Sequence, residues 1–287
     1  MIQDIAPHIF RNEYKPVPPE KRDILLCYDG RNILLKQEDE KISYPVFEEL
    51  EAMNAKEDLY ENYIYLFSID EKRFYLGSHL NTEGLDGYSW ESTSQTLRVT
   101  EPKYMGFAGV TGWQLYNWYN SRKFCGRCGK PMVHDGKERM MRCLECGLME
   151  FPKICPAVIV GVTHGNRILM SKYAGREYTK YALLAGFTEI GETPEETVKR
   201  EVFEEVGVRV KNITYYKSQP WSFSDTLLMG FYCDLDGEDE HVVLDKEELA
   251  LAEWFEREDI PVKPEDCSLT NEMIMTFKEK GRKVYEK

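Results

Sequence analysis

The chain has 287 residues, a formal charge of −13 at pH 7 and a sequence pI near 5.0. Hydrophobic residues make up 42% of it and aromatic residues 13%, which excludes a disordered chain. So acidic a surface disfavours broad binding to phosphate backbones, though a bound cation can still admit a small anionic ligand.

The opening stretch from Met1 to Lys15 lacks the basic flank and apolar block of a secretory signal. The clearest apolar run, residues 157–162, is far too short to span a membrane, so a cytoplasmic protein of two or three units is expected. Residues 22–28 and 32–36 read as strands around Asp29-Gly30-Arg31, a hairpin signal, and residues 62–68 and 73–76 repeat the pattern. A short helix is expected over 46–53. This β-rich N-terminal domain, residues 1–120, carries no catalytic motif. Trp113, Leu115, Trp118 and Tyr119 recur at helical spacing within 108–121 and predict a packing helix.

Two similar knuckles follow, Cys125-Gly-Arg-Cys128-Gly and Cys143-Leu-Glu-Cys146-Gly. A tight CxxC turn brings two thiolates onto one ion, and four thiolates suit tetrahedral Zn²⁺ in a closed structural site. Such a site has no open position for chemistry. Arg122, Lys123, Arg127 and Lys130 flank it; a basic cluster this small reads as a solvated face rather than a nucleic-acid surface. The zinc module is assigned residues 121–152.

From residue 153 to 287 the pattern alternates between strands and helices. Strands are expected over 157–162, 167–171, 213–218, 227–234 and 252–256, a Gly-rich loop over 185–191, and a closing helix over 271–280. The most informative stretch runs from Gly186 to Val208. Thr193 can cap a helix with Pro194 at its first position and Glu196 placed for a capping box; Val198, Val202 and Val206 form a buried stripe, and Gly207 is a terminator. Glu201, Glu204 and Glu205 fall at i, i+3, i+4, within about 100° of one another. Clustered carboxylates repel, and a hard divalent cation such as Mg²⁺ or Mn²⁺ relieves the repulsion.

The whole stretch resembles the Nudix box, G-x5-E-x7-R-E-U-x-E-E-x-G-U with U aliphatic, at every specified position. Ser218-Gln-Pro-Trp-Ser-Phe-Ser-Asp-Thr226 resembles the SQPWPFPxS signature of the NADH pyrophosphatase subfamily, whose members also carry a four-cysteine ribbon before the catalytic domain. The resemblance implies an α/β (α+β) fold, a Nudix α/β/α sandwich with a mixed sheet. It implies hydrolysis of NAD(H) to nicotinamide mononucleotide and AMP, removal of NAD caps from RNA 5′ ends as a further activity, and a homodimer.

By that resemblance Glu201 and Glu205 hold the catalytic Mg²⁺ or Mn²⁺, with the Ala185 carbonyl and Glu248 as further ligands. Glu204 is a ligand or orients water, and Glu192 and Arg200 brace the box. Phe151, Gln219, Pro220, Trp221, Ser222, Phe223, Ser224, Asp225, Thr226 and Thr270 would contact substrate. Ser222 and Ser224 replace two prolines of the signature, Thr226 replaces serine, and Phe151 stands where tyrosine is frequent. These departures leave open a Nudix hydrolase of another dinucleotide or of ADP-ribose. A non-catalytic nucleotide-binding regulator is the other alternative.

Overall fold

The computed structural model describes residues 1–39, 41–77, 79–175 and 179–285. They divide into two compact units, one of residues 2–153 with 222–224, the other of Met1, 154–221 and 225–287.

The first unit contains β1 (Phe10–Arg11), β2 (Ile24–Leu26), β3 (Tyr28–Asp29), β4 (Asn32–Glu38), β5 (Lys41–Ser43), α1 (Phe47–Leu50), α2 (Lys56–Tyr60), β6 (Ile64–Ile69), β7 (Lys72–Leu76), β8 (Ser89–Ser92), α3 (Thr93–Thr96) and α4 (Lys103–Ser121). Both predicted turns form: β3 pairs antiparallel with β4 across Gly30, and β6 with β7 across Asp70, each turn residue at positive φ. The strand expected over 22–28 is broken, however. β2 leaves for a sheet ordered β1-β6-β7-β2, whereas β3 opens a second sheet with β4, β5 and β8. The helix expected over 46–53 stops at Leu50. Helix α4 begins five residues before the apolar stripe suggested.

The ribbon is built from β9 (Met132–His134), β10 (Met141–Cys143) and β11 (Met149–Glu150), ordered β11-β10-β9.

The second unit holds β12 (Cys155–His164), β13 (Arg167–Tyr173), β14 (Leu184–Phe187), α5 (Pro194–Val206), β15 (Val210–Trp221), β16 (Thr226–Leu235), β17 (Leu249–Glu256) and α6 (Leu269–Lys280). Its six strands form one mixed sheet, ordered β15-β16-β12-β13-β17 with β14 on β12; β12 and β16 run parallel. A parallel pair needs a crossover, and the chain between β12 and β16 supplies it. Two apolar clusters cover the two faces. Val158, Val160 and Val162 pack with Val198, Val202 and Val206 of α5, while Ile159, Ile168 and Met170 pack with Leu269, Met273, Ile274 and Phe277 of α6. This is the α/β/α sandwich. The three α5 valines are fully buried, and each stabilises the fold by roughly 1.5–3 kcal/mol.

Two local expectations change. The Gly-rich stretch 185–191 starts as strand, since Leu184–Phe187 pairs with Ala157–Val160. The strand expected over 213–218 also runs further, into the stretch 218–226. Ser218 to Trp221 continue β15 against β16, and only Ser222–Ser224 form a 3₁₀ turn, closed by Asp225 at φ 56°. β12 thus forks: its first half pairs with β14 and its end with β13. The fork brings β14 alongside α5.

Candidate functional site

The box helix forms as its sequence dictates. The Thr193 hydroxyl accepts from the Glu196 amide at 3.2 Å, and the Glu196 carboxylate accepts from the Thr193 amide at 2.8 Å. Pro194 occupies the first turn and Gly207 ends the helix at φ 74°.

Arg200 organises the carboxylates. Its Nε and Nη2 fork onto Glu192 at 2.6 and 2.9 Å, Nη2 also donates to the Phe187 carbonyl at 2.9 Å, and Nη1 reaches Glu201 at 2.8 Å and Glu204 at 3.0 Å. Only a guanidinium offers enough planar donors for this arrangement. Glu192 also accepts from the Glu189 amide and the Thr197 hydroxyl. The Arg200 hydrogen bonds, with the Glu189 amide, hold its carboxyl down at about 2.

Glu201 is opposite in character. Burial raises its pKa against the lowering effect of Arg200, and the Glu204 and Glu248 carboxylates add to the rise. The Glu248 carboxylate thus bears on Glu201 through its charge, although 47 residues separate them in the chain. Its backbone is fixed, its carbonyl accepting from the Ala174 amide at 2.8 Å. Glu205 is only 2% exposed. Glu201 lies against β14 at Gly186, where an added Cβ would stand 1.9 Å from its carboxyl carbon. Ala185, half-buried beside that glycine, pairs with Ile159. A buried acid, a second carboxylate that bears on it and a glycine cradle make a hard-oxygen donor set that fits a hard divalent cation.

The four ribbon cysteines converge, with all four sulfurs within 4.8 Å of one another. Among the described residues no carboxylate cluster closes to that span. The knuckles are copies: Gly129 and Gly147 sit at φ 71° and 72°, and their amides donate to the Cys125 and Cys143 carbonyls at 2.8 and 3.0 Å. No disulfide forms. Four reduced thiols at tetrahedral spacing support structural zinc.

The remaining predicted residues lie on several elements of the two units. Gln219 is fully buried, its Nε2 donating to the Cys267 carbonyl at 2.9 Å and its Oε1 accepting from the Leu269 amide at 2.7 Å, so it holds the start of α6. Thr270 lies on that helix. Pro220 is exposed and Trp221 half-buried at the end of β15; Thr226, buried, pairs with Trp221, and the Asp225 carbonyl accepts from the Cys155 amide at 2.7 Å. Ser222, Phe223 and Ser224 group with the first unit, where the Arg98 guanidinium lies 4.8 Å from the Phe223 ring centroid. Phe151, also in that unit, is 56% exposed. Sequence reasoning missed the Phe187 carbonyl and Thr197, which complete the Arg200–Glu192 bracket. A backbone acceptor leaves no signal in side-chain identity.

A helix that presents a guanidinium-bracketed set of glutamates to a glycine strand defines a Nudix hydrolase domain. The chain belongs to the Nudix family: residues 153–276 match the NUDIX domain and residues 120–151 the NADH pyrophosphatase zinc ribbon domain. It is similar to the NAD-capped RNA hydrolase NudC of Klebsiella pneumoniae subsp. pneumoniae, 40% identical over 175 residues, covering 61% of this chain and 66% of that protein. It is 37% identical to the protein of the same name from Citrobacter koseri, covering 61% and 67%. The chain thus spans about two thirds of the length of these relatives. Among solved structures, a NUDIX hydrolase from Nitrosomonas europaea is similar at 22% identity and a TM-score of 0.48, covering 56% of this chain and 92% of that one. Among the described residues no helix is long and apolar enough to cross a membrane.

Proposed function

We propose that this protein hydrolyses the diphosphate bond of NAD(H), giving nicotinamide mononucleotide and AMP, and removes NAD caps from RNA 5′ ends. The observation that carries the reading is the Arg200 bracket on Glu192, Glu201 and Glu204, set against the Gly186 cradle. Glu201, Glu205, Glu248 and the Ala185 carbonyl would hold Mg²⁺ or Mn²⁺. A bound divalent ion supplies charge neutralisation for the diphosphate and lowers the pKa of water.

The chain's own residues do the positioning. Arg200 fixes the Glu201 carboxylate against β14, and the fork on Glu192 keeps Arg200 from swinging away. Glu204, 58% exposed at its side chain and held by Arg200 through one oxygen, would orient water at the helix surface. Trp221 and Phe223 offer flat faces for a base or nicotinamide ring. The zinc ribbon, residues 121–152, is a structural module between an N-terminal domain of residues 1–120 and a catalytic domain of residues 153–287. The working form is a homodimer. Both relatives above are named for NAD-capped RNA hydrolysis, which supports the substrate class.

The test is product analysis with NADH and Mg²⁺ or Mn²⁺. AMP and reduced nicotinamide mononucleotide should appear, and Glu205→Gln should abolish both. Turnover of ADP-ribose or another dinucleotide but not NADH would keep the chemistry and move the specificity to the altered serines at 222 and 224.

A further inference from the structure

On the α6 face of the second unit, a cavity of about 350 Å³ opens between Lys172, Lys180, Tyr181, Lys263 and Thr270. Lys172, Lys180 and Lys263 line it together with Glu265, in a chain whose formal charge is −13. Glu265 pairs with Lys180, and the Tyr181 hydroxyl donates to Glu253 at 3.4 Å. Among the described residues Lys172 and Lys263 have no carboxylate in ion-pair distance. Lys172 instead lies 4.4 Å from the centroid of the Tyr181 ring, which packs edge-on against Phe255.

The walls are fixed before any ligand arrives. Asn271 is buried; its Oδ1 accepts from the Glu265 amide and its Nδ2 donates to the Lys263 carbonyl, both at 2.8 Å. Lys278 donates to the Ile260 carbonyl at 2.7 Å. A cavity that gathers cations on a braced loop is pre-organised for an anion.

Chain connections tie this cavity to the glutamate site. The Ala174 amide, two residues past Lys172, holds the Glu248 carbonyl. Tyr181 leads directly into Ala185, and Tyr181, Ala185, Val262 and Ile274 pack against one apolar cluster. We propose that the cavity is a subsite for a ribose-bound phosphate, one that the substrate carries outside the diphosphate being cleaved. This rests on the function proposed above. Two sources share the chemistry: the 2′-phosphate of NADP(H), and the 3′-linked phosphate that begins the RNA chain of a capped transcript. Lysine ammonium groups meet either as point charges.

The experiment compares kcat and KM for NADH, NADPH and a short NAD-capped oligonucleotide, using the metal-loaded protein, Lys172→Ala, Lys263→Ala and the double variant. KM for a phosphate-bearing substrate should rise about tenfold per lysine, the scale of one charge-assisted hydrogen bond, while both constants for NADH stay unchanged. Whichever substrate responds identifies the source. Equal changes on all three substrates, or none on any, would overturn the subsite. Should the unaltered protein cleave no dinucleotide, the proposed function fails but the subsite is still read directly. NMR titration with 2′-AMP and 3′-AMP should show binding that the double variant loses, and equal or absent binding overturns the proposal.

Discussion

Replacing Gly186 by alanine is the sharpest probe of the glutamate site, because the structure sets its consequence almost completely. The new Cβ would lie 1.9 Å from the Glu201 carboxyl carbon and 2.1 Å from each of its oxygens. Ordinary contact begins near 3.5 Å, so the carboxylate must retreat by about 1.5 Å. That retreat breaks or stretches its 2.8 Å hydrogen bond from Arg200. Misplacement of a catalytic group by about 1 Å costs on the order of a hundredfold in rate. The backbone pays little, since Gly186 is in an extended strand where alanine is acceptable. The lost hydrogen bond and a strained rotamer cost about 2–3 kcal/mol. We expect Gly186→Ala to fold, to lose at least about a hundredfold in kcat, and to bind Mn²⁺ more weakly by calorimetry. Gly186→Ala with Glu201→Asp shortens the crowded side chain and should recover metal affinity over the single alanine variant. Wild-type kcat and Mn²⁺ affinity in Gly186→Ala would refute both the cradle and the role of Glu201.

Other outcomes follow from the same geometry. Arg200→Lys keeps the charge but loses the fork, so kcat should fall about tenfold or more while the lysine still reaches one carboxylate; an unchanged kcat would show that the bracket is dispensable. Glu192 has a depressed folded pKa, so the stability it contributes is present above the ordinary carboxylate range and is lost as pH falls toward about 2. Acid unfolding of Glu192→Gln should show a shallower loss over that window than the unaltered protein. Gln219→Ala orphans the Leu269 amide and the Cys267 carbonyl, and should destabilise by about 2–4 kcal/mol in urea unfolding. A raised KM with unchanged stability would instead make Gln219 a substrate contact. Removing the ribbon metal with a chelator, or replacing Cys143 by serine, should release zinc and expose the 121–152 segment to protease; a Cys143→Ser protein with full zinc content would remove that assignment.

What the sequence disclosed and what it hid divide along a physical line. The box helix was legible to the residue because its cap, stripe and terminator are all local, and local signals survive in sequence. The knuckles were legible for the same reason. Helix α4 was read five residues short because the stripe that marks it, Trp113 to Tyr119, lies in its later turns, while Gly106, Gly109 and Gly112 in its earlier turns carry no apolar signal. They are close-approach positions instead: a Cβ at Gly109 would stand 2.2 Å from the Tyr44 hydroxyl oxygen, and one at Gly112 would stand 2.4 Å from Leu26. The hydroxyls of Tyr44 and Tyr28 bind the Met105 and Gly109 carbonyls from elements far off in the chain. Gln219 was read as facing substrate because its motif is known by sequence alone. Its partners, Cys267 and Leu269, lie about fifty residues on, and only the folded register shows that they meet. The anion cavity was hidden most completely. Lys172, Lys180 and Lys263 each look like an ordinary surface lysine, and nothing in spacing links a strand end, a loop and a helix approach. That they line one cavity is a tertiary fact, and Asn271 braces the segment that carries Lys263 and Glu265. Asn271→Ala should therefore weaken 2′-AMP or 3′-AMP binding though its side chain bonds only to backbone at Lys263 and Glu265. If binding persists unchanged in a folded Asn271→Ala protein, the braced loop is not what gathers the charge.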